Sequence, residues 1–332
     1  MPSRTELLTL LNGQRLSRTP RFSGLINITT PGLDALGLRL SEIHTDATKL
    51  AAAAATSHRL FGWESAVVPA DLCVEASVLG ADVDFQTDVD KPMWPVVAAP
   101  LAANAGSWRL RFPYHIAAHP RVATVVRAIR LLQAGVGQYT VVGAWVPGPL
   151  TLAMQVLPIE NLYADIREDR PSVARVLDIL TDLIIVVARI YHNAGADFLT
   201  IHEMGGSPGV LGPETFQELI LPRLQRLLAA LPAPRVLSIC GNTNRAMHLL
   251  AQAGAEALSV DQTNHLAPAR ALLGDRILLF GNIDPVKVLA QGSPRQVHQA
   301  VRRAQSAGAD AIWPGCDLPP NIPAENLRAF VE

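Results

Sequence analysis

The chain is short of several things that would each mark a particular kind of protein. It has three cysteines, Cys73, Cys240 and Cys316, in 332 residues. So few, so widely spaced, exclude a disulfide framework. Neither sign of charge dominates: 28 Lys and Arg stand against 29 Asp and Glu, for a formal net charge of −1. No basic field therefore invites nucleic acid. No apolar run is long enough for a bilayer, because the greasiest stretch, LTDLIIVVARIY, is short and interrupted by charge. The opening MPSRTELLTLLNGQRL mixes acidic and polar residues among apolar ones, which reads as an amphipathic helix and not a signal peptide. No GxGxxG or GxxxxGK[ST] stands at a strand–helix junction, so nucleotide-binding folds lose support. The expectation is a soluble, reduced, cytoplasmic protein.

What is present is a large apolar inventory. Hydrophobic residues make up 49% and charged residues only 17%, enough to bury a sizeable core. Three stretches share one grammar: NAGADFLTI (193–201), QAGAEALSV (252–260) and SAGADAIWP (306–314). Each closes a helix with a glycine suited to a left-handed stop. Each then opens an uninterrupted apolar run, as in a strand covered on both faces. Helix, glycine and strand in repetition imply parallel strands with crossover helices.

Candidate strands lie at 22–26, 65–70, 140–145, 197–202, 235–240, 256–260, 277–281 and 310–315. That is the set a (β/α)8 TIM barrel needs. Helical patterns at 171–193 and 213–231 fall between them, and the gap from 71 to 139 holds insertions, with a Pro-rich turn region at 91–100. The length suits one barrel domain over residues 1–332 with an N-terminal helical extension; a doubly wound open sheet is the alternative.

Barrel active sites lie at the C-terminal strand ends. The residues that follow each apolar run are Asp71; Pro147 to Thr151; His202 and Glu203; Cys240, Gly241 and Asn242; Asp261; Gly281, Asn282 and Asp284; and Cys316 with Asp317. Carboxylates, thiols and amides thus gather at one end. Thiolates near carboxylates and a histidine suggest zinc, which favours sulfur and nitrogen. The bland alternative is that Cys240 and Cys316 are small apolar residues filling the barrel mouth. Trp145 and Trp313, near strand ends, line a ring-binding pocket or cap the barrel.

The set VPADLCVEASVLG, GPLTLA, ICGN, LSVD, FGNIDP and PGC resembles the uroporphyrinogen decarboxylase superfamily. It is more closely similar to the methyltransferase branch, the methylcobamide:coenzyme M methyltransferases and related corrinoid-dependent enzymes. The resemblance implies a (β/α)8 barrel in which zinc, held by a His-x-Cys strand end and a later Cys in a PGC-like turn, activates a thiol acceptor. The methyl donor is a methylcobamide. Cys240 and Cys316 match the two thiolate ligands. Glu203, Asp71 and Asp261 match acidic catalytic positions, and Asn242, Asn282 and Trp145 are expected to contact the cofactor or acceptor. The chain has no DxHxxG corrinoid signature, so the donor is expected on a partner corrinoid protein or free. Nothing points to nucleic acid or a membrane, and a homodimer stays open.

Ser238 departs from the resemblance, because the zinc-binding branch carries histidine there. Serine keeps its proton and is a poor zinc ligand. Three outcomes follow. Glu203, His202 or Asp261 completes the site; the acceptor is tetrahydrofolate and needs no zinc; or the metal is lost while a corrinoid or tetrapyrrole still binds, as in a non-catalytic binder. Decarboxylation of a polycarboxylate tetrapyrrole lacks its arginine cluster, since Arg21 stands alone in RFSGLINITTPGL.

Overall fold

A computed structural model describes residues 4–87, 93–109 and 112–332; the expected turn region at 91–100 is covered from residue 93 onward. The strands are β1 (Ser65–Val68), β2 (Val83–Asp84), β3 (Val96–Val97), β4 (Val141–Pro147), β5 (Phe198–Glu203), β6 (Arg235–Ile239), β7 (Ala257–Val260) and β8 (Leu278–Phe280). Six of them form one parallel sheet in the order β1-β4-β5-β6-β7-β8, and β2 pairs antiparallel with β3 in the insertion.

Two extended segments close the sheet into a barrel. Residues 311–314 bridge to β8 at Phe280↔Ala311, with a further bridge at Ile283↔Pro314. Arg21 bridges in turn to Ile312. The segment after Arg21 meets β1 through Glu64 N to Arg21 O at 3.2 Å and Ser65 Oγ to Ser23 O at 2.7 Å. The stretches expected as strands at 22–26 and 310–315 are thus staves joined by single bridges and a side chain, not regular ladders. Gly24 shows why the first stave cannot be ordinary. A Cβ there would lie 2.3 Å from Thr200 Oγ1 and 2.4 Å from the Trp313 ring, so its backbone crosses the lumen wall where a side chain has no room.

The strands alternate cleanly. Phe198, Val236, Ala257, Leu278, Phe280, Ala311 and Trp313 pack together inside the barrel, and Leu7, Leu10 and Leu11 of the helix Arg4–Leu11 seal its N-terminal end. Leu199, Ile201, Leu237, Ile239, Leu258 and Val260 belong to the separate core against the outer helices. Successive strand residues face opposite ways. The parity is therefore fixed: 198, 200 and 202 face the lumen, as do 236, 238 and 240, and 257, 259 and 261.

The acidic residue of each repeat has one task. Asp197 accepts the Val142 N–H at 2.8 Å, Glu256 the Arg235 N–H at 2.8 Å, and Asp310 the Leu279 N–H at 2.8 Å. Glu64 does the same for Arg21 N–H at 2.9 Å. Each carboxylate ties the start of its own strand to the start of a neighbour, at the end of the barrel away from the chemistry.

The helix at Arg170–Asn193 matches expectation. The stretch 213–231 breaks into Pro213–Thr215, a π-helical turn at Phe216–Ile220, and Leu221–Ala230. Pro222 has no N–H to give the preceding turn, so the helix widens there. Among the described residues, no helix is long and apolar enough to cross a membrane.

Candidate functional site

Three donors converge where the lumen opens at the C-terminal strand ends. His202 is the fifth residue of β5, Cys240 follows β6, and Cys316 lies in the turn after the last stave. His202 Nε2 lies 4.0 Å from Cys316 Sγ, and the two sulfurs are 2.7 Å apart. One ligand atom from each residue lies within 4.8 Å of the others.

Strand register explains the convergence. His202 pairs with Ser238 across β5 and β6, and both face inward. His202 Nδ1 is 3.2 Å from Ser238 Oγ. The Ser238 hydroxyl can accept the Nδ1 proton, which leaves Nε2 free to act as a ligand; metal-bound histidines are commonly held this way. The Trp145 ring meets His202 edge-on at 6.1 Å, and its Nε1 donates to Pro69 O at 2.8 Å. Trp145 is fully buried and packs with Ile26 and Val67. It braces the imidazole and offers no open face to a ring.

The electrostatics favour a cation. Burial would lower the His202 pKa, but the Asp317 carboxylate, 3.3 Å from Nε2, and Cys316 raise it to about 10. Hydrogen bonds from Cys240, against the cost of burial, and from His202 bring Cys316 down to about 6. Cys240, which shares its proton with Cys316, is pushed up. Two adjacent thiols, an imidazole with its far nitrogen supported, and a nearby carboxylate form a soft S/N donor set that fits zinc.

The other expected site residues fall elsewhere. Glu203 has the opposite parity from His202 and points into the helix shell. Its carboxylate accepts from Leu150 N at 3.1 Å, Thr151 N at 3.0 Å, Thr151 Oγ1 at 2.5 Å and Gly206 N at 2.9 Å. It anchors the start of the helix Pro149–Val156, where an anion is favoured. A Cβ on Gly148 would lie 2.4 Å from that carboxylate, so the helix can dock this closely only with glycine. Burial nonetheless raises the Glu203 pKa. The expectation of a catalytic Glu203 is corrected: it shapes the loop and does not face the lumen.

Asp71 is also enclosed. It takes His44 Nδ1 at 2.8 Å, Arg121 Nη2 at 2.6 Å and the Cys73 N–H at 2.9 Å. Burial works against its charge, but His44 and Arg121 hold its pKa below the usual carboxylate range. Behind this group lies Glu75, buried, without a hydrogen-bond partner and pushed by burial up to about 8. Burial pushes the Cys73 thiol up to about 12 and makes it a packing residue. Asp261 faces the lumen, but its Oδ1 accepts from Thr263 N and Oγ1, both at 2.7 Å. Asn242 is exposed and bonds Asn244, while Asn282 Nδ2 donates to Asp261 O at 3.1 Å and Asn264 O at 2.8 Å. Both asparagines brace loops and point their polar atoms at neighbouring chain.

His202 is the residue that sequence order under-weighted. Its signal lay in the outward pair Leu199 and Ile201, which leaves Thr200 and His202 for the lumen.

Comparison with known proteins covers the whole chain. Methylcobamide:CoM methyltransferase MtaA of Methanosarcina barkeri is 28% identical over 333 residues, 99% of this chain and 96% of its own length. A uroporphyrinogen decarboxylase of Nostoc sp. is 27% identical over 261 residues, 75% of this chain and 73% of its own. The solved structure of a methyltransferase from Methanosarcina mazei superposes with a TM-score of 0.92 at 27% identity, covering 99% of this chain and 96% of that one. The family model described as uroporphyrinogen decarboxylase (URO-D) matches residues 2–332, and the chain belongs to that family.

Proposed function

We propose that this single-barrel chain is a corrinoid-dependent methyltransferase that moves a methyl group from a methylcobamide to a small thiol. The observation that carries the proposal is the inward-facing cluster of His202, Cys240 and Cys316. Those three residues would hold zinc. When bound, the metal supplies Lewis acidity that keeps an acceptor thiol deprotonated near neutral pH. Ser238 and Trp145 fix the imidazole, and the closed, apolar lumen below the cluster excludes water from it. Methyl transfer is an in-line displacement: the S–C bond forms as the Co–C bond breaks, with the bonding pair left on cobalt. The chain's own residues then have mainly to position the sulfur. The donor substrate is expected on a separate corrinoid protein. Three dispersed cysteines without a disulfide favour a reducing compartment, the cytoplasm.

A thiol is favoured over tetrahydrofolate by the fate of the carboxylates. Asp71 and Glu203 are enclosed by their own partners and one oxygen of Asp261 is held in its turn, so two of the three expected carboxylates are closed to a pterin. Decarboxylation of a polycarboxylate gains no support either. Arg21 stands beside Glu64 at the opposite end of the barrel.

The test is a turnover assay with free methylcobalamin, zinc-loaded protein and a panel of small thiols, including 2-mercaptoethanesulfonate. Demethylation is followed by absorbance and the methyl thioether by mass. Turnover lost in Cys240→Ser supports the proposal. A spectral shift without thioether would overturn it in favour of a binding role.

A further inference from the structure

The end of the barrel away from the metal cluster has a hollow of its own. A cavity of about 460 Å³ opens there, a size ordinary for small-molecule sites. It lies where the helices Ala47–Phe61 and Pro120–Gly135 end, beside the helix Arg4–Leu11 that seals the lumen. We propose that this cavity binds a small hydroxylated aromatic carboxylate. The assignment stands apart from the zinc site at the opposite end.

The walls suit a ring. Leu7 and Val136 line the cavity with apolar surface, and Gly62 and Gly135 add backbone without side chains. Tyr139, 56% exposed, puts an aromatic ring at the rim.

Two polar groups inside suit a hydroxyl. Thr140 is 1% exposed, yet its Oγ1 has no hydrogen-bond partner. A buried hydroxyl left unpaired costs free energy that a bound ligand can recover. His58 Nδ1 lies 2.9 Å from Trp63 O. A carbonyl only accepts, so Nδ1 carries the proton, and Nε2 of the neutral ring is left as an acceptor.

The charge suits a carboxylate. Glu64 lines the cavity, but its oxygens already accept from Arg18 Nη1 at 3.0 Å, Arg18 Nη2 at 2.7 Å and the Arg21 N–H at 2.9 Å. Arg59 has no carboxylate partner among the described residues, and its Nη2 makes only a long contact, 3.5 Å, to Gly135 O. It also lines a smaller hollow of about 170 Å³ that shares Gly135 and Val136 with the first. Its guanidinium therefore stands between two open spaces, with donors free to grip a planar anion.

Calorimetric titration of the full-length protein with 4-hydroxybenzoate tests the inference. The native chain should bind one equivalent, with or without zinc, and its melting temperature should rise with ligand concentration. Arg59→Gln should weaken binding about 10-fold or more, as loss of a charged hydrogen bond does. The uncharged 4-hydroxybenzamide should bind the native chain weakly to a similar degree. Thr140→Val should weaken 4-hydroxybenzoate about 5-fold and leave benzoate, which lacks the hydroxyl, unaffected. Melting of the ligand-free variants confirms that they fold. No saturable binding to the native chain overturns the site. So does binding that both substitutions leave intact, or that zinc loading abolishes, since either places the ligand elsewhere. Equal affinity for acid and amide overturns the carboxylate assignment, and native affinity in Thr140→Val overturns the hydroxyl contact.

Discussion

Replacing His202 by alanine removes the nitrogen donor of the cluster, and the strand register offers a direct way to put it back. His202 and Ser238 are paired residues on adjacent parallel strands, both facing the lumen. A histidine at 238 would stand two residues before Cys240 on the same face of the same chain segment. Structural zinc sites bind with roughly 10–16 kcal/mol in all. Shared over four ligands, that is about 3 kcal/mol each, or about two orders of magnitude in Kd. His202→Ala should therefore weaken zinc binding about 100-fold in a chelator competition. The double variant His202→Ala, Ser238→His should recover most of that loss. Melting temperature, measured alongside, separates a failed site from a failed fold. A His202→Ala chain that keeps zinc at native affinity would show that the imidazole is not a ligand. A double variant no better than the single one would show that the two positions are not equivalent.

Other outcomes follow from the same geometry. Glu203→Ala strands the Leu150, Thr151 and Gly206 donors it now satisfies. It should cost about 3 kcal/mol or more of stability by denaturant melt, with zinc per folded chain unchanged; loss of zinc at unchanged stability would contradict this. Glu75, pushed by burial from 4.5 up to about 8, keeps a proton in the folded chain that the unfolded chain releases above 4.5. The folded state binds more protons in that window, so stability falls as pH rises through it, by up to about 1.4 kcal/mol per unit, and levels off above the folded value. Glu75→Gln should flatten that slope in pH-resolved melts, and an unchanged slope refutes the assignment. In thiol counting with an aromatic disulfide, Cys240 and Cys316 should react in metal-free protein and be protected by zinc. Cys73, pushed up to about 12, should react only after unfolding.

Much of this was legible in the residues. The repeated Gly-Ala-acid grammar placed the parallel strands, because a left-handed stop and an uninterrupted apolar run are local properties. The eight staves were countable, but that 22–26 and 310–315 close the ring through single bridges depends on contacts across the whole chain. Cys240 and Cys316 were named as a pair, and the fold does bring their sulfurs together. Glu203 was favoured over His202 because strand-end position alone says nothing about which side faces in. The phase was nevertheless written in the aliphatic residues: Leu199 and Ile201 claim the helix side, as do Leu237 and Ile239. The partners of Asp71 were out of reach, since His44 lies 27 residues before it and Arg121 50 residues after it.

The pairing of His202 with Ser238 reaches past this one chain. Lumen positions at one height on neighbouring staves are interchangeable sockets: a side chain can move sideways by a strand and still hold the same object. A search keyed to donor spacing along one strand would miss the set of His202, Cys240 and Cys316. A search keyed to donors at one level of the barrel would keep it. In closed parallel barrels, the natural unit for recognising such centres is the ring of facing residues, not the linear motif.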